Sequence, residues 1–124
     1  MKKLIVALVV FLQVFTLMVS NPAEARSTYK KRMTGFQVTH YNESGLTASG
    51  RRTKDGVTIA VDPRVIKLGT WVEIKFPNGK KIKRRADDTG GAIKGRIIDL
   101  YVNKSDRTVR KLGRIHNVTV TILK

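Results

Sequence analysis

Three aspartates and three glycines lie close together in the stretch DDTGGAIKGRIID, residues 87–99. Acids are scarce elsewhere, because the chain carries 25 Lys and Arg against 9 Asp and Glu. Asp88 and Asp99 are far enough apart in sequence for a loop to fold back and bring both carboxylates to one groove. Two carboxylates in different environments can act as an acid and a base at neutral pH. The stretch therefore predicts a candidate site for acid–base chemistry.

Two other interpretations fit the same residues. Asp88-Thr89-Gly90-Gly91 could form a simple turn, in which the aspartate side chain bonds its own backbone. A calcium loop is a weaker alternative, because the spaced oxygen ligands of a known loop pattern are missing. The chain has no cysteine, and its two histidines, His40 and His116, form no metal-binding motif. We therefore expect no metal and no other cofactor.

The elements that would position these acids are mostly strands. Alternating apolar residues predict six of them, over residues 36–41, 57–62, 71–76, 80–86, 97–102 and 118–122. Asn78-Gly79 predicts a tight hairpin turn between the third and fourth strands. Ser105 and Gly113 predict the cap and the end of one short helix over residues 106–112. Residues 42–56 read as a long loop, and long loops in small domains tend to be functional. The pattern is typical of an all-β, closed or nearly closed barrel.

The first 25 residues have the pattern of a secretory signal peptide. Lys2 and Lys3 precede an apolar run over residues 4–20, and a small-x-small motif ends at Ala25. We expect cleavage after Ala25, which would leave no stable membrane anchor. An uncleaved anchor is the alternative, although the run is short for a membrane span and contains Gln13. Residues 26–33 are predicted to be a flexible basic leader, and residues 34–124 the folded domain.

The strong positive charge predicts a polyanionic partner. The formal net charge is +16, and loss of the predicted signal peptide would leave 23 basic and 8 acidic residues, or +15. Nucleic acid is the usual partner of so basic a protein. An exported protein meets anionic cell-wall polymers instead, so we expect those polymers and no nucleic acid. The alternative is that the charge serves only solubility. The oligomeric state is not indicated.

Two longer segments carry a family resemblance. IAVDPRVIKLGTWVEI (59–74) and ADDTGGAIKGRIIDLY (86–101) resemble the three-aspartate, or 3D, domain of bacterial wall-cleaving proteins, which include the membrane-bound lytic transglycosylase A family and the stationary-phase survival proteins. THYNESGLTASG (39–50) and LGRIHNVTVTIL (112–123) resemble the start and the end of that domain. The resemblance implies a six-stranded double-psi β-barrel with one short helix. It also implies a secreted enzyme that cleaves the MurNAc-GlcNAc β-1,4 bond of peptidoglycan and leaves a 1,6-anhydro product.

The resemblance also implies roles for particular residues. The three aspartates of the family correspond to Asp62, Asp88 and Asp99. Asp99 would be the general acid and then the base, and Asp88 and Asp62 would be supporting carboxylates. The glycines would let the backbone approach a sugar ring, Lys94 would meet a substrate carboxylate, and Tyr41 could stack on a sugar. The predicted substrate-binding residues are Thr89, Gly90, Gly91, Lys94, Gly95 and Tyr41.

Three other functions remain open at this point. A glycan hydrolase could use the same barrel, because a fold does not fix a reaction. A non-catalytic module that binds the cell wall or its glycans would need no turnover at all. A nucleic-acid binder fits the charge but not the predicted signal peptide.

Overall fold

The computed structural model describes residues 29–123, with side chains from residue 31 onward. Six strands and one short helix follow each other along this part of the chain. The strands are β1 (Tyr29–Tyr41), β2 (Thr58–Ala60), β3 (Trp71–Lys75), β4 (Lys81–Asp88), β5 (Ile97–Tyr101) and β6 (Ile115–Leu123). The helix, α1, spans Asp106–Leu112 between β5 and β6.

The six strands form one sheet that closes into a ring. Each strand is hydrogen-bonded to two neighbours, in the order β1-β5-β2-β4-β3-β6 and back to β1. Two pairings are parallel, β1 with β5 and β2 with β4, and the other four are antiparallel. Closure leaves no long strand edge unpaired, which removes the usual template for aggregation of a small sheet.

One side of the sheet carries the hydrophobic core. Alternate residues of each strand point inward, as the period of two in the sequence predicts. The core holds few aromatic residues and no disulfide, since the chain has no cysteine. Branched aliphatic side chains fill most of it instead. The fully buried residues of the core include Phe36, Val38, Ile59, Val72, Ile74, Ile98, Val118 and Val120.

The structure confirms the six strands, the hairpin and the helix. The hairpin turns at Asn78-Gly79, where Gly79 has a φ of 89° and the Gly79 N–H donates to the carbonyl of Phe76 at 2.9 Å. Ser105 caps α1 by accepting from the Thr108 N–H at 3.3 Å, and the helix ends at Gly113. No helix within residues 29–123 is long and apolar enough to cross a membrane.

One predicted boundary needs correction. Residues 29–33, predicted to be part of a flexible leader, belong to β1 and pair with β6. Met33 is buried, whereas Lys31 and Arg32 face solvent on the same strand. These two cations hide the strand pattern, which is why the sequence predicted a leader here. The predicted signal peptide and residues 26–28 lie outside the described residues.

Candidate functional site

Asp88 and Asp99 lie in one row across the sheet, on the side opposite the core. In the strand register, Ala60 of β2 pairs with Asp88 of β4 on one side and with Asp99 of β5 on the other. Thr39 of β1 pairs with Asp99 and extends the row. Directly paired residues face the same side of a sheet, and two strand spacings put the Cα atoms of the two aspartates about 10 Å apart. We call Thr39, Asp99, Ala60 and Asp88 the carboxylate row.

A β-bulge in β4 puts Asp88 into this row. Ile59 pairs with Ala86, but the next residue of β2, Ala60, pairs with Asp88, so Asp87 is the extra residue. Bulges of this kind re-aim a side chain and are common beside active sites. Without the extra residue, Asp87 would oppose Ala60 and Asp88 would fall outside the row.

The side chain of Asp87 fixes the bulge from within. Its carboxylate is fully buried and accepts from Nε of Arg85 at 2.8 Å to each oxygen. Arg51 adds a longer contact, 3.4 Å from NH1 to Oδ1. The guanidinium of Arg85 also lies over the ring of Trp71, 5.4 Å from its centroid. Asp87 and Asp88 therefore have different partners, as their neighbouring positions in a strand predict.

The Asp88 carboxylate is held by three donors. Its Oδ2 accepts from the Tyr41 hydroxyl at 3.1 Å, and its Oδ1 accepts from the backbone N–H of Ala48 at 3.1 Å and of Thr89 at 2.9 Å. These donors come from β1, from the loop after β1 and from the loop after β4. The carboxylate thus has a fixed orientation and ties three segments together.

Asp99 has a different environment. It is half-buried, and its only hydrogen-bond donor within residues 29–123 is the Thr39 hydroxyl, 2.9 Å from Oδ1. Burial raises the pKa of Asp99 above its ordinary value, and the charge of Asp88 adds to this effect; the Thr39 hydrogen bond, His40 and Arg114 oppose it. A carboxyl group with a raised pKa is suited to proton transfer near neutral pH.

Tyr41 is positioned by its neighbours as well as by Asp88. Its ring packs edge-to-face against Tyr101, its register partner, with centroids 5.4 Å apart and an interplanar angle of 65°. Burial, followed by the nearby charge of Asp88, raises the pKa of Tyr41 well above its usual range. The hydroxyl therefore stays protonated and keeps donating to Asp88.

The long loop between β1 and β2 folds onto the bulge. Within it, residues 45–53 form a small hairpin, with a bridge between Leu46 and Arg52 and a hydrogen bond from the Thr53 N–H to the Gly45 carbonyl at 2.8 Å. The hairpin docks through the Ser49 N–H, which donates to the Asp87 carbonyl at 2.9 Å. Leu46 is 72% exposed on this hairpin, so a large apolar side chain stands in solvent on the segment whose Ala48 N–H donates to Asp88.

Asp62, the third aspartate, makes different contacts. Its carboxylate is buried and accepts four hydrogen bonds, three from Arg64 and one from the Gly95 N–H at 2.8 Å. The Arg64 side chain holds the pKa of Asp62 far below its usual range, and the Gly95 N–H adds to the effect. Asp62 thus clamps the turn after β2 to the loop before β5. None of these four hydrogen bonds reaches Asp88 or Asp99.

The predicted substrate-binding residues of the loop over 89–96 divide into two groups. Thr89, Gly91 and Lys94 are exposed. Gly90 and Gly95 have structural reasons to be glycine: a Cβ on Gly90 would lie 2.9 Å from Cγ1 of Ile93, and Gly95 has a φ of 72°. The loop follows Asp88 directly, so its exposed residues border the carboxylate row.

Sequence reasoning missed several residues of this site. Thr39 is one of them, and its alternation with Tyr41 along β1 was the only signal that it shares a face with that predicted residue. Ala60 carries no functional group that a sequence motif could identify. Its role is to place a small side chain between the two aspartates. Arg64 was missed as the partner of Asp62, although only one residue separates them.

Within the described chain, no group of three or more His, Asp or Glu side chains could hold a metal ion.

Comparison with known proteins shows the family of the chain. A family model described as the 3D domain matches residues 57–124. The cell wall-binding protein YocH of Bacillus subtilis (strain 168) is 37% identical over 91 residues, which cover 70% of this chain and 30% of YocH. The lytic transglycosylase MltA from E. coli, solved with bound chitohexaose, is 27% identical with a TM-score of 0.54; the match covers 66% of this chain and 28% of MltA.

A third similarity concerns the fold alone. The Streptomyces papain inhibitor has a TM-score of 0.57 at 20% identity, and the match covers 77% of this chain and 97% of the inhibitor. By contrast, the chain spans less than a third of YocH and of MltA. The fold is thus found both as nearly the whole of a small protein and as a part of the larger MltA chain.

Proposed function

Because the chain belongs to the 3D domain family, we propose that it is a secreted peptidoglycan lytic transglycosylase whose acid and base is Asp99. The observation that carries this proposal is the carboxylate row, in which Asp99 and Asp88 face the same side of the sheet across Ala60. The similarity to MltA, a lytic transglycosylase that binds chitohexaose, supports a β-1,4-linked glycan as substrate.

The proposed reaction uses one carboxyl group twice. Protonated Asp99 donates its proton to the glycosidic oxygen between MurNAc and GlcNAc, and the bond from C1 of MurNAc to that oxygen breaks. The 6-hydroxyl of the same MurNAc then attacks C1 and returns a proton to Asp99. The products are a 1,6-anhydro ring and a free GlcNAc 4-hydroxyl, with no water consumed. A glycosidase that adds water needs a second carboxyl group for the water or for a covalent intermediate.

The environment of Asp99 supports this double role. Its raised pKa favours the protonated form that the first step needs. Thr39 occupies only Oδ1, and Oδ2 accepts no hydrogen bond from residues 29–123. Asp88 lies in the same row and supplies the negative charge that would stabilise an oxocarbenium-like C1. Asp62 acts indirectly in this scheme, by holding the loop that borders the row.

The proposal also covers the type of barrel and the place where the protein acts. We infer that the ring is a double-psi β-barrel; its two parallel pairings, β1 with β5 and β2 with β4, support this inference. Export with cleavage after Ala25, and action at the cell wall, fit the wall-related names of YocH and MltA.

A second candidate is a wall-binding module without turnover. The name of YocH, a cell wall-binding protein, favours it. The net charge of +16 would attract anionic wall polymers without a specific site. Such attraction is screened by salt, so retention on sedimented cell walls at about 1 M salt would count against a purely electrostatic attachment.

One experiment separates these functions. The protein, Asp99→Asn and the control Asp55→Asn, which removes an exposed carboxylate outside the row, would each be incubated with purified peptidoglycan. Soluble fragments would then be analysed by mass spectrometry. We expect anhydro-muropeptides from the protein and from Asp55→Asn, and none from Asp99→Asn.

The other outcomes are equally informative. Reducing-end fragments that take up oxygen from labelled water would identify a hydrolase. Release of no fragments by any of the three proteins, with sedimentation on the wall intact, would leave the binding module as the function.

A further inference from the structure

The open end of the ring between α1 and the β3–β4 turn contains a cavity of about 630 Å³. Its volume lies within the range of about 300–1,000 Å³ that small-molecule sites occupy. The cavity is on the core side of the sheet, whereas the carboxylate row is on the opposite side. His40 and Leu100 line it, and each directly follows a member of the row, Thr39 and Asp99. We call it the α1 cavity.

The lining of the α1 cavity is apolar with charge of one sign only. Ile82, Leu100, Leu112 and Ile115 are among its apolar residues. Lys80, Arg84, Lys104 and His40 supply the basic groups, and no aspartate or glutamate lines the cavity. A site built in this way is complementary to a molecule that has an apolar body and an anionic head.

Arg84 is the most unusual member of the lining. It pairs with Val72 in the strand register and therefore points to the core side, unlike its neighbours Lys83 and Arg85. Its NH1 donates to the Lys83 carbonyl at 2.9 Å, but its Nε is buried and has no hydrogen-bond partner within the described residues. Asp55 attracts the guanidinium without forming a salt bridge within 4.0 Å.

Such an arrangement has a cost for folding. The Nε atom is a buried donor without a partner, which is unfavourable, whereas the side chain as a whole is half-buried. Burial accordingly lowers the pKa of Arg84. A half-buried guanidinium with a free Nε donor beside an apolar lining is complementary to an anion, because a carboxylate would pair with it in its preferred geometry.

The helix beside the cavity is the most weakly packed element. No residue of α1 is buried, and Leu112 at its end is 42% exposed although it lines the cavity. An apolar ligand would cover Leu112 and give the helix a surface to pack on. Filling the cavity would therefore bury apolar surface of α1, including the Leu112 side chain.

From these observations we propose that the α1 cavity binds a fatty-acid-like molecule, with its alkyl chain against Leu112 and Ile115 and its carboxylate on Arg84. This site is distinct from the carboxylate row and does not depend on the function proposed for that row. Neutral amphiphiles would lack the anionic head, and short carboxylates would lack the apolar body.

The test is a calorimetric titration with dodecanoate below its micellar concentration. We expect Arg84→Met to weaken binding at least tenfold while leaving the protein as stable or more stable, since it removes the unpartnered donor. Leu112→Asp, at an exposed helix position, should also weaken binding. The matched control is Lys83→Met, which removes the same charge from an exposed neighbour on the opposite side of β4 and should bind as the unchanged protein does.

Chain length and head group give a second readout. Each methylene between octanoate and dodecanoate should tighten binding by about fourfold if the chain is fully buried. Dodecanol should bind far more weakly than dodecanoate. The proposal is overturned if Arg84→Met and Lys83→Met lower affinity equally, which would indicate general attraction to a basic protein, or if affinity does not depend on chain length.

Discussion

Replacement of Asp87 by Asn tests whether the bulge depends on its buried ion pair. The amide would keep one acceptor but turn an NH₂ group towards Arg85, whose Nε now contacts both carboxylate oxygens at 2.8 Å. Removing one partner of a buried pair costs about 3–5 kcal/mol. Arg85 keeps 22% exposure and its contact with Trp71, so we expect a loss somewhat below that range, about 2–3 kcal/mol. For a domain of this size that corresponds to a Tm about 10–20 °C lower.

The assay is urea denaturation, because an ionic denaturant would screen the pair. Arg51→Gln is the control: its contact with Asp87 is 3.4 Å long and its side chain 53% exposed, so we expect a loss below about 1 kcal/mol. Our reasoning is refuted if Asp87→Asn costs no more than Arg51→Gln. The double variant Arg85→Met with Asp87→Leu should recover part of the loss, because two apolar groups leave no unpaired charge.

Three further predictions concern the row and its loop. Burial raises the pKa of Asp99 above its ordinary value, so its stabilising contribution is complete below about pH 3.9, the usual pKa of an aspartate, and is lost as the pH rises through the raised pKa. Asp99→Asn should therefore be stabilising at pH 7 in thermal melts, and an advantage that persists at pH 3 would contradict this. Thr39→Val removes the hydrogen bond to Asp99, so NMR titration of the Asp99 carboxyl carbon should give a higher pKa than in the unchanged protein. Gly95→Ala should cost about 1–2 kcal/mol of stability in urea because of its φ of 72°, whereas Gly91→Ala, with no positive φ and no close neighbour, should be nearly neutral.

The sequence was a good guide to the strands, because their signal is local. Alternation over residues 71–76 and the Asn78-Gly79 turn each depend on neighbours in the chain, and the structure confirms both. The start of β1 was missed because Lys31 and Arg32, which both face solvent, interrupt the alternation of polar and apolar residues. Its partner, β6, is distant in sequence, and no local rule shows that closing the ring would pair them.

The site was predictable as a set of residues but not as a geometry. Asp88 and Asp99 stood out because acids are scarce in this chain. Their common face depends on the bulge at Asp87, and strict alternation of side chains along β4 does not predict a bulge. The grouping of Asp62 with the other two aspartates came from the family resemblance. Three of its four hydrogen bonds are local, from Arg64, but the fourth, from the Gly95 N–H, depends on a contact between two loops that only the fold defines.

The position of β1 in the ring determines when the chain can fold. Both of its partners are synthesised much later; Thr39, for example, lies 60 residues before its partner Asp99. Contacts of such long range make folding slow, on the order of milliseconds to seconds for barrels. Until then β1 is an unpaired strand, and unpaired strands attract other copies of the same chain. Its exposed Lys31 and Arg32 oppose that pairing by charge repulsion, so part of the positive charge protects the protein before it has any structure.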